Sequence, residues 1–95
     1  MNIIMIDKHT LSKNILANFL SSQPDIKVVD TLDSGHMGIK RCVDLKGYID
    51  LVIMDIKLTD LPGLLVAKTI IEDNPDLKVA LLTSAVSNNL VMEAI

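Results

Sequence analysis

Residues 51–64 read LVIMDIKLTDLPGL. Leu51 to Met54 form a continuous apolar run that stops at Asp55. A short run without alternation suits a strand buried on both faces, as in a parallel sheet. The loop Ile56 to Leu61 leads to Pro62, a residue that fits the first turn of a helix because its missing N–H is not needed there. From Pro62 to about Asp73, Leu64, Ala67, Ile70 and Ile71 recur at helical spacing, and Asn74-Pro75 ends the element.

The same strand-then-helix unit recurs on both sides. Asn2 to Ile6 (NIIMI) is an apolar run ending at Asp7. A helix is expected from about Leu11 to Ser22, with Thr10 as N-cap and Leu11, Ile15, Phe19 and Leu20 at helical spacing. Gln23-Pro24-Asp25 stops it. Ile26 to Leu32 is a second strand, and Asp33 or Ser34 caps a helix carrying Ile39, Cys42 and Val43, closed by Gly47. Val79 to Leu82 is a fourth strand ending at Thr83-Ser84, and Asn88 to Ile95 is expected to begin a further helix. Strands alternating with helices predict an α/β domain, a doubly wound parallel sheet with helices on both faces and right-handed crossovers. The flavodoxin-like strand order 2-1-3-4 makes strands one and three neighbours at the switch point. No repeat, linker or low-complexity tract is visible.

The chain has 95 residues, enough for one small domain, and 49% of them are hydrophobic. Phe19 and Tyr48 are its aromatics, so the core is built from aliphatic side chains. A net charge of −3 without a basic cluster speaks against nucleic-acid binding by this segment. The single cysteine, Cys42, rules out an internal disulfide and fits a reducing, cytoplasmic location. No apolar run approaches the roughly 18 residues of a membrane span, and no signal peptide is evident.

In such a sheet, ligands bind outside the carboxyl ends of the strands. Asp7, Asp55 and Thr83 stand at three of those ends. Converging carboxylates suit a hard divalent cation. A carboxylate also serves as a nucleophile toward phosphorus, and a nearby hydroxyl can bond a phosphate oxygen.

The stretches IIMIDKHTLSKNILANFLSSQPDIKVVD (3–30), DLVIMDIKLTDLPGL (50–64) and NPDLKVALLTS (74–84) resemble the receiver domains of two-component response regulators, most closely those with helix-turn-helix output domains. The resemblance implies that Asp55 is the phosphoacceptor, charged by a sensor histidine kinase. It implies that Asp7, Asp55 and the Lys57 backbone carbonyl hold Mg²⁺, that Thr83 is the switch hydroxyl, and that Gly63 is the loop glycine before helix three. The module would control an output domain, expected to regulate transcription and to contact DNA, outside this chain. Signalling without enzymatic activity is expected.

The chain departs from the family pattern at three places. Lys8 stands where a second acid usually follows Asp7, and Thr59 where a proline is usual. The sequence stops before the fifth strand, its terminal lysine and the last helix. With an effective dielectric near 20, each unit-charge interaction at about 4 Å is on the order of 4 kcal/mol, so Lys8 is expected to weaken Mg²⁺ binding. Lys8 is also expected to pair with Asp55 in place of the absent lysine.

Plainer readings stand beside these. A lone aspartate at a strand end is commonly a cap. His9, close after Asp7, is tempting as a ligand but reads more readily as a surface or loop histidine, His36 as a helix-start residue and Cys42 as a packed thiol. An aspartyl phosphatase would need an acid where Lys57 stands, and a flavin binder would need stacking aromatics. The alternative function is a degenerate receiver, an interaction or dimerisation module independent of phosphorylation. The abrupt stop at Ile95 suggests a piece of a longer protein. An open edge on strand four, VALL, and uncovered apolar surface beside helix one predict self-association.

Overall fold

The computed structural model describes residues 1–85 and 88–94, with side chains as far as Leu82. Its elements are β1 (Asn2–Ile6), α1 (Thr10–Ser21), β2 (Lys27–Leu32), α2 (Gly35–Asp44), β3 (Leu51–Asp55), α3 (Gly63–Asp73), β4 (Lys78–Ala85) and β5 (Asn88–Ala94). The sheet order is β2-β1-β3-β4-β5. β1 to β4 are parallel, in the order expected, with Ile4 level with Val52 and Asp55 level with Leu82.

The last segment differs from expectation. Asn88–Ala94 is a strand, antiparallel to β4, instead of the start of a helix, and it covers the β4 edge expected to stand open. A short apolar segment fits either a helix or a strand, and the N–H and C=O groups along β4 offer a ready ladder.

Side chains alternate across the sheet. Ile4, Ile6, Val52, Met54, Val79 and Leu81 point to one face and form a cluster with Val66, Ala67 and Ile70 of α3 and Cys42 of α2. Ile3 and Met5, buried but outside that cluster, point to the other face. Close packing on the first face explains Gly38, where an added Cβ would stand 2.2 Å from Ile6 Cδ1. Burial raises the Cys42 thiol pKa to about 11, with Asp73 adding to the shift. Cys42 is therefore a packed thiol.

Two helix faces differ from the spacing-based expectation. In α1, Leu11, Ile15 and Phe19 are exposed at 74%, 62% and 62%. The face turned inward carries Lys13, with Leu16, Ala17 and Leu20 half-buried. Both sides of the helix are apolar, so periodicity alone did not select between them. In α3, Leu64 is exposed and Val66 takes the buried place. Caps also moved: His9, without a side-chain cap bond, precedes α1 in place of Thr10, whereas Ser34 accepts the Met37 N–H as expected.

Candidate functional site

The site forms where β1 and β3, adjacent and parallel, both end in an aspartate. Each of these carboxylates is oriented by the same local turn, in which the side chain accepts the N–H two residues on. Asp7 Oδ1 accepts from His9 N–H at 2.8 Å, and Asp55 Oδ1 accepts from Lys57 N–H at 2.9 Å. The Asp55 side chain is 5% exposed and that of Asp7 13%, so both are held by their surroundings.

His9 joins them. Its Nδ1 lies 3.3 Å from Asp7 Oδ1 and 3.4 Å from Asp55 Oδ2. One ligand atom from each of Asp7, His9 and Asp55 falls within a span of 4.8 Å. The sequence reading weighs His9 as a ligand but favours a loop histidine. Its position two after Asp7 was the available signal, because the Asx turn at Asp7 folds that residue back over the carboxyl ends of the strands.

Lys8 is exposed, and among the described residues it forms no ion pair with Asp55. The expected pairing is not made; His9 faces that carboxylate instead. Lys57 is exposed too, and its loop closes on itself through a bridge to Pro62. Gly63 N–H donates to Ile56 O at 3.0 Å, and a Cβ on Gly63 would stand 2.4 Å from that oxygen. Only a glycine lets the loop return so tightly. Thr83 falls on β4 one residue past the partner of Asp55, at the same sheet end; its side chain lies outside those described.

Two further contacts fix the rim. Asp60 accepts the Gly35 and His36 N–H groups at 2.9 Å each, and His36 Nδ1 lies 2.6 Å from its second oxygen. The β3–α3 loop is thereby tied to the N-terminus of α2. Those bonds, led by the His36 N–H, hold the Asp60 carboxyl well below the usual carboxylate range. Lys13, buried on the inner side of α1, pairs with Asp33 just before α2. Neither partnership was legible in sequence, since each joins residues twenty or more apart.

Residues 3–95 match the family described as the response regulator receiver domain. The chain is 32% identical over 93 residues to the response regulator protein VraR of Staphylococcus saprophyticus, covering 98% of this chain and 44% of that protein. It is 31% identical to the transcriptional regulatory protein LiaR of Bacillus subtilis, over 98% of this chain and 43% of that protein. The chain thus spans less than half the length of these relatives. Among solved structures, the response regulator domain of Thermotoga maritima CheB superposes with a TM-score of 0.80 at 26% identity, covering 88% of this chain and 60% of that one.

Proposed function

Because this chain belongs to the response regulator receiver domain family, we propose that Asp55 accepts a phosphoryl group from the phosphohistidine of a sensor kinase. An Asp55 carboxylate oxygen forms the new bond to phosphorus as the bond to the kinase imidazole nitrogen breaks. The observation that carries this reading is the state of the Asp55 carboxylate. It is nearly buried, its Oδ1 is held by the Lys57 N–H, its Oδ2 faces His9, and Asp7 lies beside it at the carboxyl ends of β1 and β3.

Two carboxylates together at the carboxyl ends of neighbouring strands fit Mg²⁺, which binds proteins through one or two carboxylates and keeps several waters. Asp7, Asp55 and the Lys57 carbonyl are the groups that would hold it. When bound, the cation neutralises charge on the phosphoryl oxygens. The protein's own part is positioning: the two Asx turns fix the carboxylates, and Gly63 and Asp60 fix the loop carrying Lys57. The Thr83 hydroxyl is the group proposed to follow the phosphoryl oxygens. Lys8, exposed beside Asp7, removes one acid from the pair and lowers Mg²⁺ affinity. The output is proposed to be transcriptional, as the LiaR relative is a transcriptional regulatory protein, through DNA contacts made by residues outside this chain. Self-association, a cytoplasmic location and the absence of enzymatic turnover belong to the same proposal.

Incubation with acetyl phosphate and Mg²⁺, followed by intact mass measurement, tests it. The wild-type chain gains one phosphoryl group and Asp55→Asn gains none. An unmodified wild type, under conditions that label an intact receiver, favours the phosphorylation-independent interaction module, a reading that Lys8 supports.

A further inference from the structure

Among the described residues, the buried charged side chains are Lys13, 5% exposed, and Asp55, 4% exposed. Asp55 belongs to the site, whereas Lys13 lies on the inner side of α1. A buried ammonium is costly unless a counter-charge stays beside it. That counter-charge is Asp33, whose own side chain is mostly exposed. The ion pair therefore holds the backbone at the point where β2 leaves the sheet. The residue before Asp33, Leu32, accepts the Asp7 N–H at 2.9 Å, and the residue after it, Ser34, caps α2. Gly35 and His36 follow, and both of their N–H groups donate to Asp60 at 2.9 Å. Gly35 also packs so closely against α3 that an added Cβ would stand 2.6 Å from Val66 Cγ2. Packing this close passes a shift of the segment on instead of absorbing it. Asp60 in turn sits within the loop that the Lys57–Pro62 bridge closes, and the Lys57 N–H holds Asp55 Oδ1 at 2.9 Å. The two buried charges are thus the ends of one run: Lys13 to Asp33, Gly35 and His36 to Asp60, Lys57 to Asp55.

We propose that Lys13 is a positioning residue for Asp55, acting through Asp33, the N-terminus of α2 and Asp60 to keep the Lys57 N–H on the Asp55 carboxylate. Through it, the seating of α1 on the sheet bears on the orientation of the acceptor. Loss of the Lys13 charge frees Asp33, loosens the segment that carries Gly35 and His36, and lets the Asp60 loop move with Lys57. A carboxylate released from the Lys57 N–H samples more orientations, and fewer of them face an incoming phosphorus. The consequence for phosphorylation rests on the reading of Asp55 as the phosphoacceptor. The consequence for the Lys57 N–H does not.

Hydrogen exchange at single amides of the whole chain, together with acetyl phosphate labelling at saturating Mg²⁺, tests the proposal. Lys13→Met removes the charge and keeps an unbranched apolar side chain in its place. It should speed exchange of the Lys57 N–H about fivefold. It should also lower the maximal labelling rate about fivefold, with half-saturation by acetyl phosphate within about twofold of wild type. Lys13→Arg, which can still pair with Asp33, should bring both back to within about twofold of wild type. Lys46→Met breaks the exposed pair with Asp73 and should change neither. Asp60→Asn alone should slow labelling about fivefold, and combined with Lys13→Met no more than about tenfold, because both act along one run; independent effects would multiply to roughly 25-fold. Circular dichroism checks folding, and Asp33→Asn makes the same comparison from the exposed side of the pair if Lys13→Met does not fold. Unchanged Lys57 exchange in a folded Lys13→Met or Asp33→Asn variant overturns the proposal, as does a double variant whose effects multiply. A wild type that forms no adduct, with Lys57 exchange still dependent on Lys13, would reject the phosphoacceptor reading and leave the positioning role standing.

Discussion

The two faces of the sheet are written in the same aliphatic alphabet but are covered differently. On the face under α2 and α3, Ile4, Ile6, Val52, Met54 and Val79 are 0% exposed. On the other face, α1 covers Ile3 and Met5, while Leu51, Ile53, Ala80 and Leu82 are only half-buried. The helix on that side also shows solvent an apolar stripe, Leu11, Ile15 and Phe19. The first face therefore holds most of the fully buried aliphatic side chains, and the second leaves more of its apolar surface exposed. The candidate site lies at the carboxyl ends of β1 and β3, its carboxylates held by their own turns and its β3–α3 loop tied to α2 through Asp60.

Neighbouring residues of one strand give the strongest test of this difference. Met54 and Ile53 occupy the same strand and opposite faces. Met54→Ala should cost about 3 kcal/mol, in the range for a buried large-to-small change, and Ile53→Ala about 1 kcal/mol. Urea midpoints at constant slope measure both. Equal costs would mean that Ile53 is covered in solution and that the two faces are alike.

A smaller effect is expected at the tie between the β3–α3 loop and α2. Asp60→Asn removes a charged acceptor for the Gly35 and His36 N–H groups. The bonded group is partly exposed, so about 1 kcal/mol is appropriate, comparable with loss of a helix cap. Because the folded-state pKa of Asp60 is lowered, chiefly by the His36 N–H, its contribution is present above the unfolded value near about 4. It is lost as pH falls below that. Wild type should thus lose its advantage over Asp60→Asn on acidification, and a stability difference that is constant from neutral pH into strong acid would remove the carboxylate from the account.

A property of this fold is legible in the sequence where it is local. The β-α units were legible because each follows from an apolar run and the residue that ends it, and the order of β1 to β4, with the meeting of Asp7 and Asp55, followed once the flavodoxin-like order of doubly wound sheets was applied to those units. The inward side of α1 was not legible, since Leu16 and Ile15 are equally apolar and only the packed sheet chooses between them. Asn88–Ala94 was misread because a short apolar segment fits either a helix or a strand, and an available sheet edge decides. Asp60 and Lys13 acquire their partners only through the fold. His9 was within reach, since an aspartate that accepts the N–H two residues on brings that residue back over its own carboxylate.

The smallest effect on stability is expected at the α1 stripe, and it is the most informative about the second face. Ile15→Lys with Phe19→Lys replaces two exposed apolar side chains by residues that favour helix, so the change in unfolding free energy should stay within about 0.5 kcal/mol. If the stripe drives the proposed self-association, light scattering should show the wild type increasing in mass with concentration and the double variant remaining a monomer. A monomeric wild type would remove the association and leave the stripe as scattered exposed surface. Destabilisation by several kcal/mol would say something different: that the stripe is buried in solution, and that the face behind α1 is a core whose second layer is supplied from elsewhere.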